Sequence, residues 1–137
     1  MPAKIRRATY FHATVKDEPG EAYRLLALLA ASNVNLLAFN AIPMGHDHTQ
    51  LMLFPEHVEL LARVAPEKGI ILSGPHPAFL IRGDDDLGAL VEIHERLAGA
   101  RINVYASCGV TADCGRYGYL LYVNPQEFEN AAIVLGV

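Results

Sequence analysis

Two short acidic turns carry the residue types in this sequence that are best suited to hold a small ligand. Each turn has an aspartate followed three residues later by a glycine, Asp17 with Gly20 and Asp85 with Gly88. A glycine at a helix start lets a ligand approach unpaired backbone N–H groups, which together with the helix dipole favour a carboxylate. A nearby aspartate attracts an ammonium group. Because an α-amino acid carries both charges, the turns indicate an amino-acid site.

Two asparagines repeat in the same way further along the chain. Asn35 and Asn103 each lie between hydrophobic residues where a strand is predicted to open, and an amide side chain both donates and accepts hydrogen bonds. The alternative for all these residues is structural. An aspartate before a helix caps it, which contributes about 1 kcal/mol, and an asparagine after a helix closes its C-terminus.

Other residues with reactive side chains form weaker patterns. The segment His46-Asp47-His48 and the pair Cys108 and Cys114 lie at the tips of two predicted hairpins, and their spacing matches no zinc motif. Solvated turn residues and reduced thiols are the favoured interpretation. His94 is expected on the packed side of a helix as a partly buried, hydrogen-bonded side chain. No nucleophile–base pattern, phosphate-binding loop or dinucleotide fingerprint is present, so we expect neither an enzyme nor a cofactor.

The turns belong to a longer internal repeat. When the sequence is shifted by 68 positions, identical residues return in register at the boundaries of predicted helices and strands. The seven identical pairs are Phe11/Phe79, Asp17/Asp85, Gly20/Gly88, Leu29/Leu97, Ala30/Ala98, Asn35/Asn103 and Ala38/Ala106. The chain is therefore interpreted as two repeats, residues 1–74 and 75–137.

Each repeat has the same order of predicted elements. Strands are expected over residues 8–15, 34–43 and 49–54, and in the second repeat over 78–82, 102–111 and 117–123. One helix follows each acidic turn, and a second begins near Pro55 or Pro125. The order predicts an α+β protein made of two ferredoxin-like βαββαβ units.

The last strand differs between the two repeats. Residues 70–72 are expected to form a short fourth strand in the first repeat, with residues 73–77 as the joint between repeats. The second repeat is expected to lack or truncate this strand, which would leave an unpaired sheet edge and favour a homodimer. The alternative is a monomer in which residues 70–72 or the N-terminal residues cover the edge.

The motif Asp17-Glu18-Pro19-Gly20 with Val34-Asn35-Leu36, and its counterpart Asp85-Asp86-Leu87-Gly88 with Ile102-Asn103-Val104, resembles the ACT domain. The resemblance covers nearly the whole chain and implies a stand-alone tandem ACT protein. ACT domains are regulatory modules that commonly bind amino acids between two copies, the turn of one copy facing the second strand of its neighbour. The resemblance therefore implies that the ligand contacts Asp17, Gly20, Asn35, Asp85, Gly88 and Asn103.

Composition limits the partners that the sequence favours. The net charge is −4, and residues 75–137 carry four arginines against eight acids, so no basic stripe is available for a nucleic acid. No apolar run is long enough to span a membrane, and Thr9, His12 and Thr14 interrupt any secretory core, so a cytoplasmic location is expected.

These patterns together predict a small-molecule-binding regulatory protein with no catalytic residue and no metal, which binds an amino acid at the interface between ACT-like repeats. The alternative is a small enzyme, or a regulatory subunit of an amino-acid biosynthetic enzyme that acts through contact with that partner enzyme.

Overall fold

The computed structural model describes residues 3–137. The chain is divided into two compact units: residues 9–76 form the first unit, and residues 3–8 with 77–137 form the second. Within residues 3–137 no helix is both long and apolar enough to cross a membrane.

The first unit contains most of β1 (Lys4–Lys16), then α1 (Glu21–Ala31), β2 (Leu36–Met44), β3 (His48–Pro55), α2 (Val58–Glu67) and the start of β4 (Ser73–Asp84). Its strands follow the order β2-β3-β1-β4, in which β3 is antiparallel to both β1 and β2. This is the ferredoxin-like order that the sequence predicted.

The second unit contains the rest of β4, then α3 (Val91–Gly99), β5 (Val104–Ala112), β6 (Arg116–Val123), a 3₁₀ turn (Pro125–Glu127) and α4 (Phe128–Leu135). Its strand order is β5-β6-β4, followed by the first residues of β1 in the fourth place. The two units thus repeat one α+β topology, and the predicted fold class is confirmed.

Each helix packs one apolar stripe against its own unit. In α1 the buried residues are Leu25 and Leu29, and in α3 they are Ile93 and Leu97, in both cases four residues apart. Phe79 of β4 stacks on Phe128 of α4 with ring centroids 4.5 Å apart. Full burial of a side chain of this size stabilises the fold by about 1.5–3 kcal/mol.

The 68-residue repeat extends to details of the backbone. The left-handed residue after the first helix of each unit is Asn33 in one and Arg101 in the other. The register of the β2–β3 pair shifts between Leu36 and Ala38, and that of the β5–β6 pair shifts between Val104 and Ala106. Since these features lie 68 residues apart, the repeat in the sequence is a repeat in the structure.

Two predictions about the fourth strand are wrong. Residues 70–72 are not a strand, and the predicted joint at residues 73–77 is the start of β4. Residues 73–76 lie beside β1, so pairing with a neighbouring strand outweighs the turn preference of glycine and proline there.

The β4 edge of the second unit, which the sequence predicted to be open, is covered. Residues 4–8 of β1 lie beside β4 there, and Ile5 packs against the core. The dimer prediction therefore loses the argument from an open β4 edge. Residues 3–8 group with the second unit.

Two helix starts also differ from expectation. Pro55 is the last residue of β3 and pairs with Leu36, so α2 begins only at Val58. The helix expected directly after Gly88 begins at Val91, since residues 87–90 form turns. Pro125, in contrast, opens the 3₁₀ turn that leads into α4, as a proline at a helix start should.

Close packing at Gly83 gives the first prediction. A Cβ atom on Gly83 would lie 2.7 Å from Cε1 of the buried Tyr117 ring, whereas a Cβ on Gly99 in α3 would meet nothing within 4 Å. Gly83→Ala should lower the free energy of unfolding by about 1–3 kcal/mol because the ring must move. Gly99→Ala should leave it unchanged or raise it by up to about 1 kcal/mol. Urea denaturation measures both, and equal stability of the two variants would contradict the packing described for Tyr117.

Candidate ligand-binding site

The second unit contains a cleft of about 500 Å³ between the acidic turn before α3 and the β5–β6 hairpin. We call it the second-unit cleft. The turn contributes Asp85, Asp86, Gly88, Ala89, Leu90 and Val91, and the hairpin contributes Gly109, Val110, Thr111, Tyr117, Gly118 and Tyr119. Its size is in the range of sites for small metabolites.

Backbone hydrogen bonds hold the acidic turn against the hairpin. The N–H of Asp85 donates to the carbonyl of Gly115 at the hairpin tip, at 2.7 Å, and the N–H of Asp86 donates to the carbonyl of Asp84 at 2.9 Å. The chain then passes through Gly88, whose φ of +76° is easily adopted only by glycine. The position of the turn is therefore set by backbone hydrogen bonds and by the left-handed conformation of Gly88.

The turn offers both kinds of charge recognition. Among the described residues, the backbone N–H groups of Leu87, Gly88 and Leu90 donate no hydrogen bond, and they precede the N-terminus of α3. Such groups and the helix dipole favour an anion. The carboxylates of Asp85 and Asp86 belong to exposed residues of the same turn and favour a cation. A zwitterion finds complementary groups for both of its charges within the six residues from Asp85 to Leu90.

The hairpin supplies an aromatic floor. The ring of Tyr119 lies over Gly109, its cross-strand neighbour, where an added Cβ would come within 2.9 Å of the ring. The hydroxyl of Tyr119 forms a 2.7 Å hydrogen bond with Nε2 of His94 on α3. His94 is partly buried and hydrogen-bonded, which confirms the prediction for this residue. Tyr119 is thus fixed from two sides and gives the cleft a rigid apolar surface.

The second tyrosine of the floor, Tyr117, lies over β4, whereas Tyr119 lies over β5. The ring of Tyr117 lies over Gly83, its cross-strand neighbour on β4. Its hydroxyl is buried and has no hydrogen-bond partner among the described residues. Burial, followed by the nearby carboxylate of Asp84, raises the pKa of Tyr117 above its usual value. The phenol therefore stays neutral throughout the physiological pH range.

The structure brings only some of the predicted site residues together. Asp85 and Gly88 line one cleft, but Asn103 precedes β5 at the end of the strand opposite to Val110. Six residues of strand, Val104 to Gly109, lie between Asn103 and Val110, a distance of roughly 20 Å along the strand. Asn103 can complete this site only from a neighbouring copy, as the ACT resemblance implies, and that arrangement stays a prediction.

The first unit presents its acidic turn differently. A groove of about 550 Å³ includes Gly20 but is lined only by α1 and the turn before it, through Glu18, Pro19, Gly20, Glu21, Tyr23, Arg24, Ala27 and Leu28. Neither Asp17 nor Asn35 lines this groove, and no hairpin residue closes it. Arg24 also forms an ion pair with Glu21 there. The groove is consequently a one-sided surface, unlike the second-unit cleft.

The remaining reactive residues form no site around these clefts. His46, Asp47 and His48 are exposed at the first hairpin, and Cys108 and Cys114 are exposed free thiols. In the part of the chain that the structure describes, no group of three or more His, Cys, Asp or Glu side chains is placed to hold a metal ion.

Similarity to known proteins is found at the level of structure. The sequence matches no model of a protein family and no curated protein. The structure is similar to the protein BT0572 of Bacteroides thetaiotaomicron, with a TM-score of 0.82 and 14% identity over 96% of this chain and 88% of that chain.

It is also similar to the regulatory subunit of aspartate kinase from Thermus thermophilus in its ligand-free form, with a TM-score of 0.60 and 16% identity over 99% of this chain and 95% of that chain. For the aspartokinase alpha and beta subunits the TM-score is 0.56 and the identity 18%, over 98% and 95% of the two chains. At such identities the likeness concerns the fold. Since aspartokinase regulatory subunits are ACT-domain proteins, both units have the ACT-type fold that the sequence predicted.

The two tyrosines of the floor give the second prediction. Tyr119→Phe removes a hydroxyl that is bonded to His94 and should lower the free energy of unfolding by about 1 kcal/mol. Tyr117→Phe removes a buried hydroxyl without a partner and should leave that free energy unchanged or raise it by up to about 1 kcal/mol. Urea denaturation of both variants tests this. A loss in Tyr117→Phe as large as that in Tyr119→Phe would show that the Tyr117 hydroxyl is bonded in solution.

Proposed function

We propose that this protein is a regulatory protein that binds an amino acid, and that the second-unit cleft contains the main part of the binding site. The observation that supports this is the meeting of three features in one cleft. Residues with unpaired N–H groups (Gly88 and Leu90), two aspartates and the two tyrosines of the floor all line one space of about 500 Å³. Each feature recognises a different part of an α-amino acid.

The ligand carboxylate is assigned to the N–H groups of Gly88 and Leu90, where the dipole of α3 adds to their attraction. The ligand ammonium is assigned to Asp85, with Asp86 next to it, because a charge-assisted hydrogen bond is stronger than a neutral one. The ligand side chain then lies towards the hairpin. Val110 and Tyr119 there favour an apolar or aromatic side chain over a charged one.

The fold supports a regulatory role without catalysis. Two of the similar structures are an aspartate kinase regulatory subunit and the aspartokinase alpha and beta subunits, and this chain has their ACT-type fold. The residues that line the second-unit cleft include no pair suited to act as nucleophile and base, and His94, which does not line it, is hydrogen-bonded to Tyr119. The contacts proposed for Asp17, Gly20, Asn35 and Asn103 depend on a neighbouring copy.

Substitution of Asp85 gives the third prediction. A thermal-shift screen of the twenty amino acids should find at least one ligand, since a ligand at 100 times its dissociation constant adds about 2.7 kcal/mol to the stability. Asp85→Asn should weaken that ligand roughly 10- to 100-fold because it replaces a charge-assisted contact with a neutral one. Isothermal titration calorimetry measures the change in dissociation constant.

The matched control is Asp17→Asn at the equivalent position of the first unit. This variant loses the same charge, but Asp17 lines no cleft with a hairpin, so its affinity should stay within about threefold of the wild type if the second-unit cleft carries the main contacts. If Asp85→Asn binds as tightly as the wild type, the second-unit cleft is not the site. If no amino acid stabilises the protein, the proposed function itself is refuted.

The edge strand β5 gives the fourth prediction, a homodimer. β5 lies at the end of its unit's strand order, and its residues from Tyr105 to Ala112 are exposed. Val110 is 69% and Tyr105 56% exposed. An edge with unpaired backbone groups and apolar side chains favours pairing with another chain. Light scattering at micromolar concentration should give twice the chain mass of 14.9 kDa, and a mass of one chain would refute the dimer.

A further inference from the structure

Two histidines of the first unit pack against each other on the sheet face opposite to its helices. The rings of His12 on β1 and His76 on β4 have centroids 4.8 Å apart and meet edge to face, with an interplanar angle of 60°. Because the neighbouring residues Phe11 and Ala13 belong to the helix-covered core, His12 points to the other face. Neither histidine lines the second-unit cleft, so the pair is separate from the proposed amino-acid site.

The pair lies where the first four residues of β4, residues 73–76, meet β1. Of these four residues only His76 is partly buried, and the other three are exposed. The His76 ring contacts Tyr10 as well as His12, with centroid distances of 5.2 Å and 4.8 Å. An added Cβ on Gly74 would lie 3.1 Å from the carbonyl oxygen of Tyr10, so the segment lies close against β1. The His76 ring is therefore a side-chain contact that holds residues 73–76 on β1.

The surroundings of His12 make a second proton on its ring costly. Nδ1 of His12 is buried and has no hydrogen-bond partner among the described residues. The neutral ring can keep its proton on Nε2, which leaves Nδ1 as an unpaired acceptor. A proton added to Nδ1 would create a charged donor in a buried position without an acceptor, and this costs more than an unpaired neutral acceptor. Full protonation of His12 is therefore favoured only when the packing around Nδ1 opens.

The groups that face His12 supply no negative charge. On β1 the aromatic neighbour on this face is Tyr10, with its centroid 5.2 Å away, and on β4 it is His76. The cross-strand neighbour on β3 is the uncharged Met52. No carboxylate in the described part of the chain forms an ion pair with either imidazole. Burial, followed by the charge of His76, accordingly lowers the pKa of His12 below its usual 6.5.

We propose that the contact between His12 and His76 is an acid-sensitive switch in the first unit, and that residues 73–76 separate from β1 when both imidazoles are protonated. A charge on one ring is tolerated, because the other ring and Tyr10 offer it aromatic faces. A second charge adds repulsion between the rings and requires Nδ1 of His12 to reach solvent, so the two rings titrate as a coupled pair. Separation removes the His76 ring from Tyr10 and uncovers an aromatic side chain that is 4% exposed in the closed form.

The pH dependence of stability gives the fifth prediction. Because the pKa of His12 is lower in the folded chain than in the unfolded chain, stability that is present above pH 6.5 is lost as the pH falls below it. Between about pH 7.5 and about pH 5.5, the unfolding equilibrium constant of the wild type should rise more than that of His12→Phe, by up to about tenfold for each unit by which the pKa is lowered. Urea denaturation measures the constants, and an NMR titration of the His12 ring measures the pKa independently.

The matched control is His46→Ala/His48→Ala, which removes two exposed histidines of the first hairpin. This variant should keep the pH dependence of the wild type. His12→Phe should lose no stability at neutral pH, because phenylalanine keeps an aromatic contact with Tyr10 and removes a nitrogen that has no partner.

Hydrogen exchange at about pH 5.5 tests the separation itself. Residues 73–76 should exchange faster in the wild type than in His12→Phe or His76→Phe, whereas residues 117–123 of β6 should exchange alike in all three. Circular dichroism checks that both variants fold, and either one decides alone if the other does not. The proposal is overturned if the phenylalanine variants have the pH dependence of the wild type, or if residues 73–76 exchange equally fast in the variants and the wild type.

Discussion

One backbone hydrogen bond in each unit holds the acidic turn against the tip of the neighbouring hairpin. The N–H of Asp85 donates to the carbonyl of Gly115, and 68 residues earlier the N–H of Asp17 donates to the carbonyl of Asp47. Each bond joins the end of a first strand to the tip of a hairpin. Because these groups are backbone atoms, the bond itself does not require a particular side chain at Asp17 or Asp85. In the second unit this bond holds the turn beside the hairpin, and the second-unit cleft lies between the two.

Much of the fold could be predicted because the repeat marks chain reversals. Asp17, Gly20 and Asn35 and their counterparts lie at the ends of the same helices and strands in both units. Such boundary signals are local in the sequence, so they can be recognised without the structure. The fourth strand could not be predicted in the same way. Residues 70–72 are rich in strand-forming side chains, yet β4 begins at Ser73, because a strand forms where the backbone finds a partner strand. Pairing partners distant in sequence leave no local signal.

The candidate site was predictable only on its turn side. Asp85 and Gly88 are visible in the sequence because a turn is a contiguous segment. The hairpin side depends on cross-strand register, which places Gly109 opposite Tyr119 and Gly83 opposite Tyr117. A glycine opposite a tyrosine is the signal that could have found the floor, since the ring needs the space that a side chain would fill.

The placement of residues 4–8 beside β4 affects where the chain can be cut without disrupting a compact unit. A fragment cut at the repeat boundary, residues 75–137, keeps α3, α4 and three strands but loses the segment that carries Ile5 into its core. A fragment of residues 1–74 keeps only the first two residues of β4. Neither half holds a complete four-stranded unit. The second unit is built from two segments, residues 3–8 and 77–137, so a cut between the repeats separates parts of one compact unit.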